Sequence, residues 1–285
     1  MTATTPLTPL TAVVPTTTIR PDQRAPLLPL RDLRERRELL AFLVWRDLKI
    51  RYKQTLLGAV WAVLQPVAAM VIFALFFGRL ARVGSDGVPY WLFALAGLVP
   101  WIYFSNALSQ ASLSLVDNER VIAKIWFPRF LLPTSPVVSG LFDLAIAMVV
   151  LLVVAIVANG WPSWHLVALP LFVVLAAATA LGIGLVLACL NVRYRDVKYV
   201  LPFLVQLLMF ASPVVYSSQL VGGQWRTLYA ANPLVTVIDG FRWSVVGAPA
   251  PTASAVAASA AVAAALVLFG SWAFHRAERS FADVL

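Results

Sequence analysis

Residues 166–190 read LVALPLFVVLAAATALGIGLVLACL, twenty-five consecutive positions without a charged side chain. A hydrocarbon core about 30 Å thick is crossed by about 20 apolar residues in a helix, and within one segment only a helix satisfies every backbone group. The stretch therefore reads as a membrane span. Five more runs of comparable length lie at Leu57–Phe77, Trp91–Leu115, Val138–Val157, Tyr199–Tyr216 and Ala253–Phe274. The expected fold is an all-α integral membrane protein with six transmembrane helices.

Composition agrees. Of 285 residues, 61% are hydrophobic and 12% charged, about half the charge share of a soluble domain. A water-soluble globule is excluded. The net charge of +9 alone would suit a nucleic-acid binder, but a mean hydropathy of +0.84 does not. Topology supplies another reason for the charge. With both termini in the cytoplasm, eighteen of the twenty-two Lys and Arg fall inside, and Arg79, Arg82, Arg226 and Arg242 remain outside. Discounting Arg20, Arg24, Arg31, Arg34 and Arg36, which are too far from a span to count, still leaves a strong inside excess. No nucleic acid is needed as a partner.

Two segments depart from span and loop. In Glu38–Lys53, Ala41, Val44, Trp45, Leu48 and Tyr52 share one helical face, while Arg46, Lys49 and Lys53 lie opposite, with Phe42 and Ile50 breaking the pattern. Such a segment, residues 38–55, suits an amphipathic helix in the cytoplasmic interface; a solvated topology signal is the plainer alternative. Residues 1–37 ahead of it form a Thr- and Pro-rich tail, expected to be disordered and without a signal peptide. The remainder, 56–285, holds the six spans. Between spans five and six, Ser217–Pro251 holds two apolar pieces too short to cross, the first broken at Asn232-Pro233. This predicts an external re-entrant hairpin, with a folded extracellular loop as the alternative.

The chemistry of a self-sufficient pump or enzyme is missing. None of the lysines, Lys49, Lys53, Lys124 and Lys198, follows a glycine, so there is no phosphate-binding P-loop. HExxH and GxSxG do not occur, and one cysteine, Cys189, with two histidines, His165 and His275, makes no metal set. No catalytic residue and no metal ligand is assigned. Asp143 is the one acid inside a span, close enough to a helix end to reach water or an Arg partner. The Gly182–Gly184 pair is expected to serve close helix packing.

What remains is a membrane subunit that must borrow its energy, and such a chain needs a cytoplasmic handle for a partner. After span two, Asp117-Asn118-Glu119 starts a short helix that Pro128 stops, carrying Val121, Ile122, Ile125, Trp126 and Phe127. Exposed, that apolar load asks for a docked partner; burial under the chain's own interface helix is the alternative.

These motifs are similar to those of a known family. RYKQTLLGAVWAVLQP (51–66), NERVIAKIWFPRFLLP (118–133), YRDVKYVLPFLVQLLMFASPVVY (194–216) and NPLVTVIDGFR (232–242) resemble, in order and spacing, the membrane subunits of type-2 ABC exporters of O-antigen, teichoic acid and related polymers. The resemblance implies a homodimeric six-span permease in the bacterial plasma membrane, bound to two copies of an ABC ATPase that carries the ATP and Mg, so that this chain holds no cofactor and is not itself an enzyme. It assigns ATPase coupling to Asn118, Glu119, Lys124, Phe127, Pro128 and Arg129, the interface-helix role to Arg46, Lys49, Arg51 and Lys53, and the external gate to Asn232, Pro233 and Arg242; the cationic interface helix is further expected to receive the lipid phosphate. The cargo implied is a lipid-linked glycan.

Ten Trp, seven Tyr and sixteen Phe are more rings than two interface belts require, and sugars pack C–H faces on rings. Trp101, Tyr103 and Phe104, with Asn106, Ser109 and Gln110 beyond them, are candidate channel side chains, as are Phe210 and Tyr216; belt or packing roles are the alternative. Phe127→Asp is expected to break ATPase pairing, and Trp101→Ala to slow export alone. Rival classes are a type-2 exporter of drugs or small lipids, a membrane glycosyltransferase using Asp143 or Asp196, and a scaffold.

Overall fold

Tyr90 to Asp117 forms one helix of 28 residues, buried along most of its length; the other long helices pack around it. The computed structural model describes residues 35–53, 60–122, 124, 127–159, 164–222, 229 and 231–278. The tail over 1–34, the 54–59 stretch and Ile125-Trp126 of the expected coupling helix lie outside the described residues. In chain order the elements are α1 (Arg37–Lys53), α2 (Val60–Phe73, continued as π-helix Ala74–Leu80), α3 (Tyr90–Asp117), α4 (Glu119–Ile122), α5 (Leu131–Asn159), α6 (Leu169–Arg193, preceded by the 3-10 turn Trp164–Ala168), α7 (Val197–Phe210), α8 (Pro233–Val246) and α9 (Ala253–Glu278). No strand occurs among the described residues.

Five of these are long and apolar enough to cross a membrane: Val60–Leu80, Tyr90–Asp117, Leu131–Ala158, Trp164–Arg193 and Ala253–Glu278, with Val197–Phe210 a shorter apolar helix. With that shorter helix as the fifth, the chain has the six apolar helices of the expected fold, and only the bounds of the expected span Tyr199–Tyr216 are corrected. Its helix ends at Phe210 and turns follow, because the residue before Pro213 is steered away from helical angles. The third span starts at Leu131, seven residues before the expected Val138.

Helices α5 and α6 flank α3, α9 packs on α6, and α8 wedges between α3 and α6. Small residues let the backbones close. A Cβ on Gly270 would sit 2.5 Å from the Gly182 carbonyl oxygen, and one on Gly184 would meet the Ala111 Cβ at 2.8 Å. The GxG pair therefore seats α6 against α9 on one side and α3 on the other, the packing role read from sequence.

Helix α8 has fourteen residues, about 21 Å at 1.5 Å per residue, too short to cross. Asn232 caps it by accepting from the Leu234 N–H at 3.0 Å, Pro233 opens its first turn, and Gly247 ends it at φ 73°, a left-handed angle that suits glycine. Asn232 bonds back to Ala211 O and Ser212 Oγ just past α7, whereas Trp243 lies 4.6 Å from His165 at the head of α6. The helix thus starts beside the end of α7 and runs to the end of the bundle away from α1; residues 223–228 and 230, which would form the other arm of the expected hairpin, lie outside the described residues.

Candidate functional site

Two polar clusters sit at opposite ends of the helix bundle. The first joins α1 to the bundle. Arg46 Nη1 donates to Asn118 Oδ1 at 2.9 Å and Nη2 to Asp47 Oδ1 at 2.9 Å, while Ser135 Oγ donates to Asp47 Oδ2 at 2.6 Å. One turn further on, Arg51 pairs with Asp143 and donates to Gln110 Oε1 at 2.6 Å, and the Tyr52 hydroxyl donates to the other Asp143 oxygen. Burial, the Asp143 hydrogen bond and that carboxylate's charge push the Tyr52 phenol well above its usual range, so it stays a neutral donor. Asp143 finds the Arg partner that sequence allowed it, a positioning contact rather than a proton relay.

These bonds decide which way α1 faces. Leu43 is its one buried side chain, while Phe42, Trp45 (68% exposed) and Ile50 point outward with Lys49 and Lys53. Trp45 therefore points away from the bundle although Tyr52, read on the same face, is docked to Asp143, and two of the four expected phosphate ligands, Arg46 and Arg51, are already engaged by the chain itself. Lys49 and Lys53 remain on the open side.

Between the end of α1 and helices α2, α3 and α5 lies a cleft of about 260 Å³. Trp61, Gln65, Asn106 and Gln110 line it from exposed positions, with the Arg51–Asp143 pair at its mouth and the edge of Tyr103 in its wall. A Cβ on Gly140 would already press the Tyr103 ring at 3.2 Å. Tyr103 donates to Val137 O at 3.1 Å. Trp61 and Gln65 were missed by sequence reasoning; an amide one turn beyond a Trp in an otherwise apolar span was the available signal.

The other aromatics divide. Trp101 (5% exposed) and Phe104 are sealed in the bundle core, their rings 5.7 Å apart; the expectation that they face a conduit is corrected, since α3 is central and surrounded by its own chain. Phe210 is exposed on α7, and Tyr216 is half-buried, donating to Phe210 O at 2.9 Å.

The coupling segment is also rearranged. The helix extends only over Glu119–Ile122. Phe127 (8% exposed) packs with Leu43 of α1, Phe130 of the same segment and Phe274 of α9, and Val121 and Ile122 rest against that cluster. Burial beneath the chain's own interface helix, the alternative read from sequence, holds for these three. Phe127 is thus corrected from an exposed docking residue to an anchor. Glu119 and Lys124 stay exposed, Pro128 is half-buried in coil, and Arg129 Nη1 donates to Glu278 O at 3.0 Å.

The second cluster is closed. Arg242 of α8, 1% exposed, donates to Val214 O at 2.8 Å and to Phe93 O and Tyr216 O at 3.3 Å, stacks 3.5 Å over the Phe93 ring, and has Asp239 at 3.9 Å. Gly97 makes the room, since a Cβ there would lie 2.8 Å from the guanidinium. Expected as an external gate side chain, Arg242 is instead an internal pin holding the hairpin to α3 and to the chain after α7. No group of His, Cys, Asp and Glu capable of holding a metal occurs among the described residues.

The pattern of the ABC-2 type transporter family matches residues 38–246. The O-antigen export system permease protein RfbA of Myxococcus xanthus is 32% identical over 255 residues, covering 89% of this chain and 97% of that one. RfbA of Klebsiella pneumoniae is 27% identical over 206 residues, 72% and 79% of the two chains. The polysialic acid transport protein KpsM of Escherichia coli is 26% identical over 208 residues, 70% and 78%.

Proposed function

The chain belongs to the ABC-2 type transporter family, and from that premise we propose that it is the membrane subunit that exports a lipid-linked surface polysaccharide across the bacterial plasma membrane, driven by a separate ATPase. The observation that carries the reading is the match along nearly the whole length of an O-antigen export permease. The absence of a P-loop in the sequence supports a partner as the site of ATP and Mg.

Two copies of this chain would form the conduit with two ATPases. Helices α2 and α7 favour that assembly: their apolar side chains are largely exposed, and both carry an internal proline, Pro66 and Pro202. Both termini are placed in the cytoplasm on the charge count, so α1 and α4 face the motor. Glu119 and Lys124 would meet it, and Phe127 would pass the movement to α1 and α9 through the shared cluster. Lys49 and Lys53 would receive the anionic lipid headgroup, each contributing about 1 kcal/mol near an anionic surface. Asn232 and Pro233 start α8 beside the end of α7, where an external gate would open.

Deletion of the reading frame tests this. Surface glycan should disappear while lipid-linked polymer accumulates inside, and plasmid-borne wild type should restore it. Intact glycan with raised drug sensitivity would instead favour an exporter of drugs or small lipids.

A further inference from the structure

We infer that the cleft under the end of α1 binds an uncharged sugar of the cargo, next to its lipid anchor, through Trp61 and the side-chain amides of Gln65 and Asn106. The inference rests on the polysaccharide reading above and assigns a site within it.

The amides carry the case. Asn106 lies eleven residues from the end of α3 at Asp117, about 16 Å into the bundle at 1.5 Å per residue, yet it is exposed, as is Gln65 on α2. Neither side chain has a hydrogen-bond partner among the described residues, whereas the nearby Gln110 accepts from Arg51. An unpaired amide in hydrocarbon is strongly disfavoured, so lipid tails do not fill this space; polar groups within a membrane are kept for a polar occupant.

Charge selects the occupant. Among the described residues, the one carboxylate lining the cleft, Asp143, is matched by the one guanidinium, Arg51. A phosphate would find its cation spent and a carboxylate beside it; a cationic ligand would find the carboxylate spent. A polyhydroxylated ring fits what is left. Planar amides offer a donor and an acceptor to neighbouring hydroxyls, and Trp61, 54% exposed, offers a face for the C–H side of the ring. A volume of about 260 Å³ is at the low end for ligand pockets, suiting a short stretch of glycan rather than a coil. The headgroup is left to Lys49 and Lys53, exposed on the outer face of the same helix, so sugar and phosphate are read by opposite sides of α1.

The full-length chain in lipid nanodiscs, titrated with the deacylated and dephosphorylated oligosaccharide cut from the host's own surface glycan, provides the test. Trp fluorescence should change saturably. Trp61→Phe should abolish the change, and Gln65→Leu and Asn106→Leu should move its midpoint about tenfold upward, the loss of one to two hydrogen bonds, while Asn106→Gln stays near wild type and inorganic pyrophosphate does not compete. No saturable change, competition by pyrophosphate, or unmoved midpoints in correctly assembled variants would overturn the site. So would full-yield self-crosslinking of Asn106→Cys in a Cys189→Ser background, which would give the amides to a second copy. In the deletion strain, failure of wild type to restore surface glycan sinks the transport reading and the site with it. Restoration by wild type and equally fast by Trp61→Phe and Asn106→Leu sinks the site alone.

Discussion

The Arg242 cluster and the Arg51 cluster use the same chemistry to opposite ends. Around Arg242 every guanidinium nitrogen ends on a carbonyl inside the protein, and Gly97 gives up its side chain to let it fit. Around Arg51 the pair with Asp143 is partly open, and the amides beyond it are unpartnered. A sealed polar cluster holds the fold; an open one is held ready for something else. The difference lies in what faces the charged group, not in the residue type.

The sharpest way to break the contrast is Arg242→Ala. Three carbonyls and Asp239 lose their partner in a buried setting, so a loss of about 3 to 5 kcal/mol is expected, read as a collapse in yield and in detergent Tm, with Arg242→Lys recovering part of it. Next is Trp101→Ala. Because the ring is core, it should cost about 3 kcal/mol or more and lower assembly along with export; export lost at unchanged Tm would return Trp101 to the conduit. Asp143→Asn should be milder, about 1 kcal/mol for a half-open pair, visible as faster proteolysis within α1 while the α8 region stays protected. Smallest is Lys49→Gln with Lys53→Gln, expected to leave Tm unchanged and to slow export a few-fold through weaker headgroup capture.

What sequence reading reached follows the physics of the bilayer. The spans were legible because crossing hydrocarbon sets a length and a composition, and Asn232-Pro233 was legible as a break because it caps and opens the short helix α8. Which face turns inward was not, since lipid and protein core are equally apolar and periodicity does not separate them. Hence Trp101 and Phe104 were expected in a conduit and lie in the core. The docking of α1 depends on Asn118, Ser135 and Asp143, some seventy to ninety residues away, and Phe127 is hidden by Phe274 from the last helix. No local pattern carries such pairings. Asp143 was the exception, because a lone acid in a span demands a cation.

The contact of Gly182 with Gly270 limits how this chain can move. Backbone rests on backbone there, with no side chain between to swap rotamers, so α6 and α9 cannot slide or roll against each other without opening a void. They make a keel. Any stroke delivered from the motor must be taken up by the loosely attached walls, α2 and α7, which makes the proline in each the natural place to look for bending during turnover.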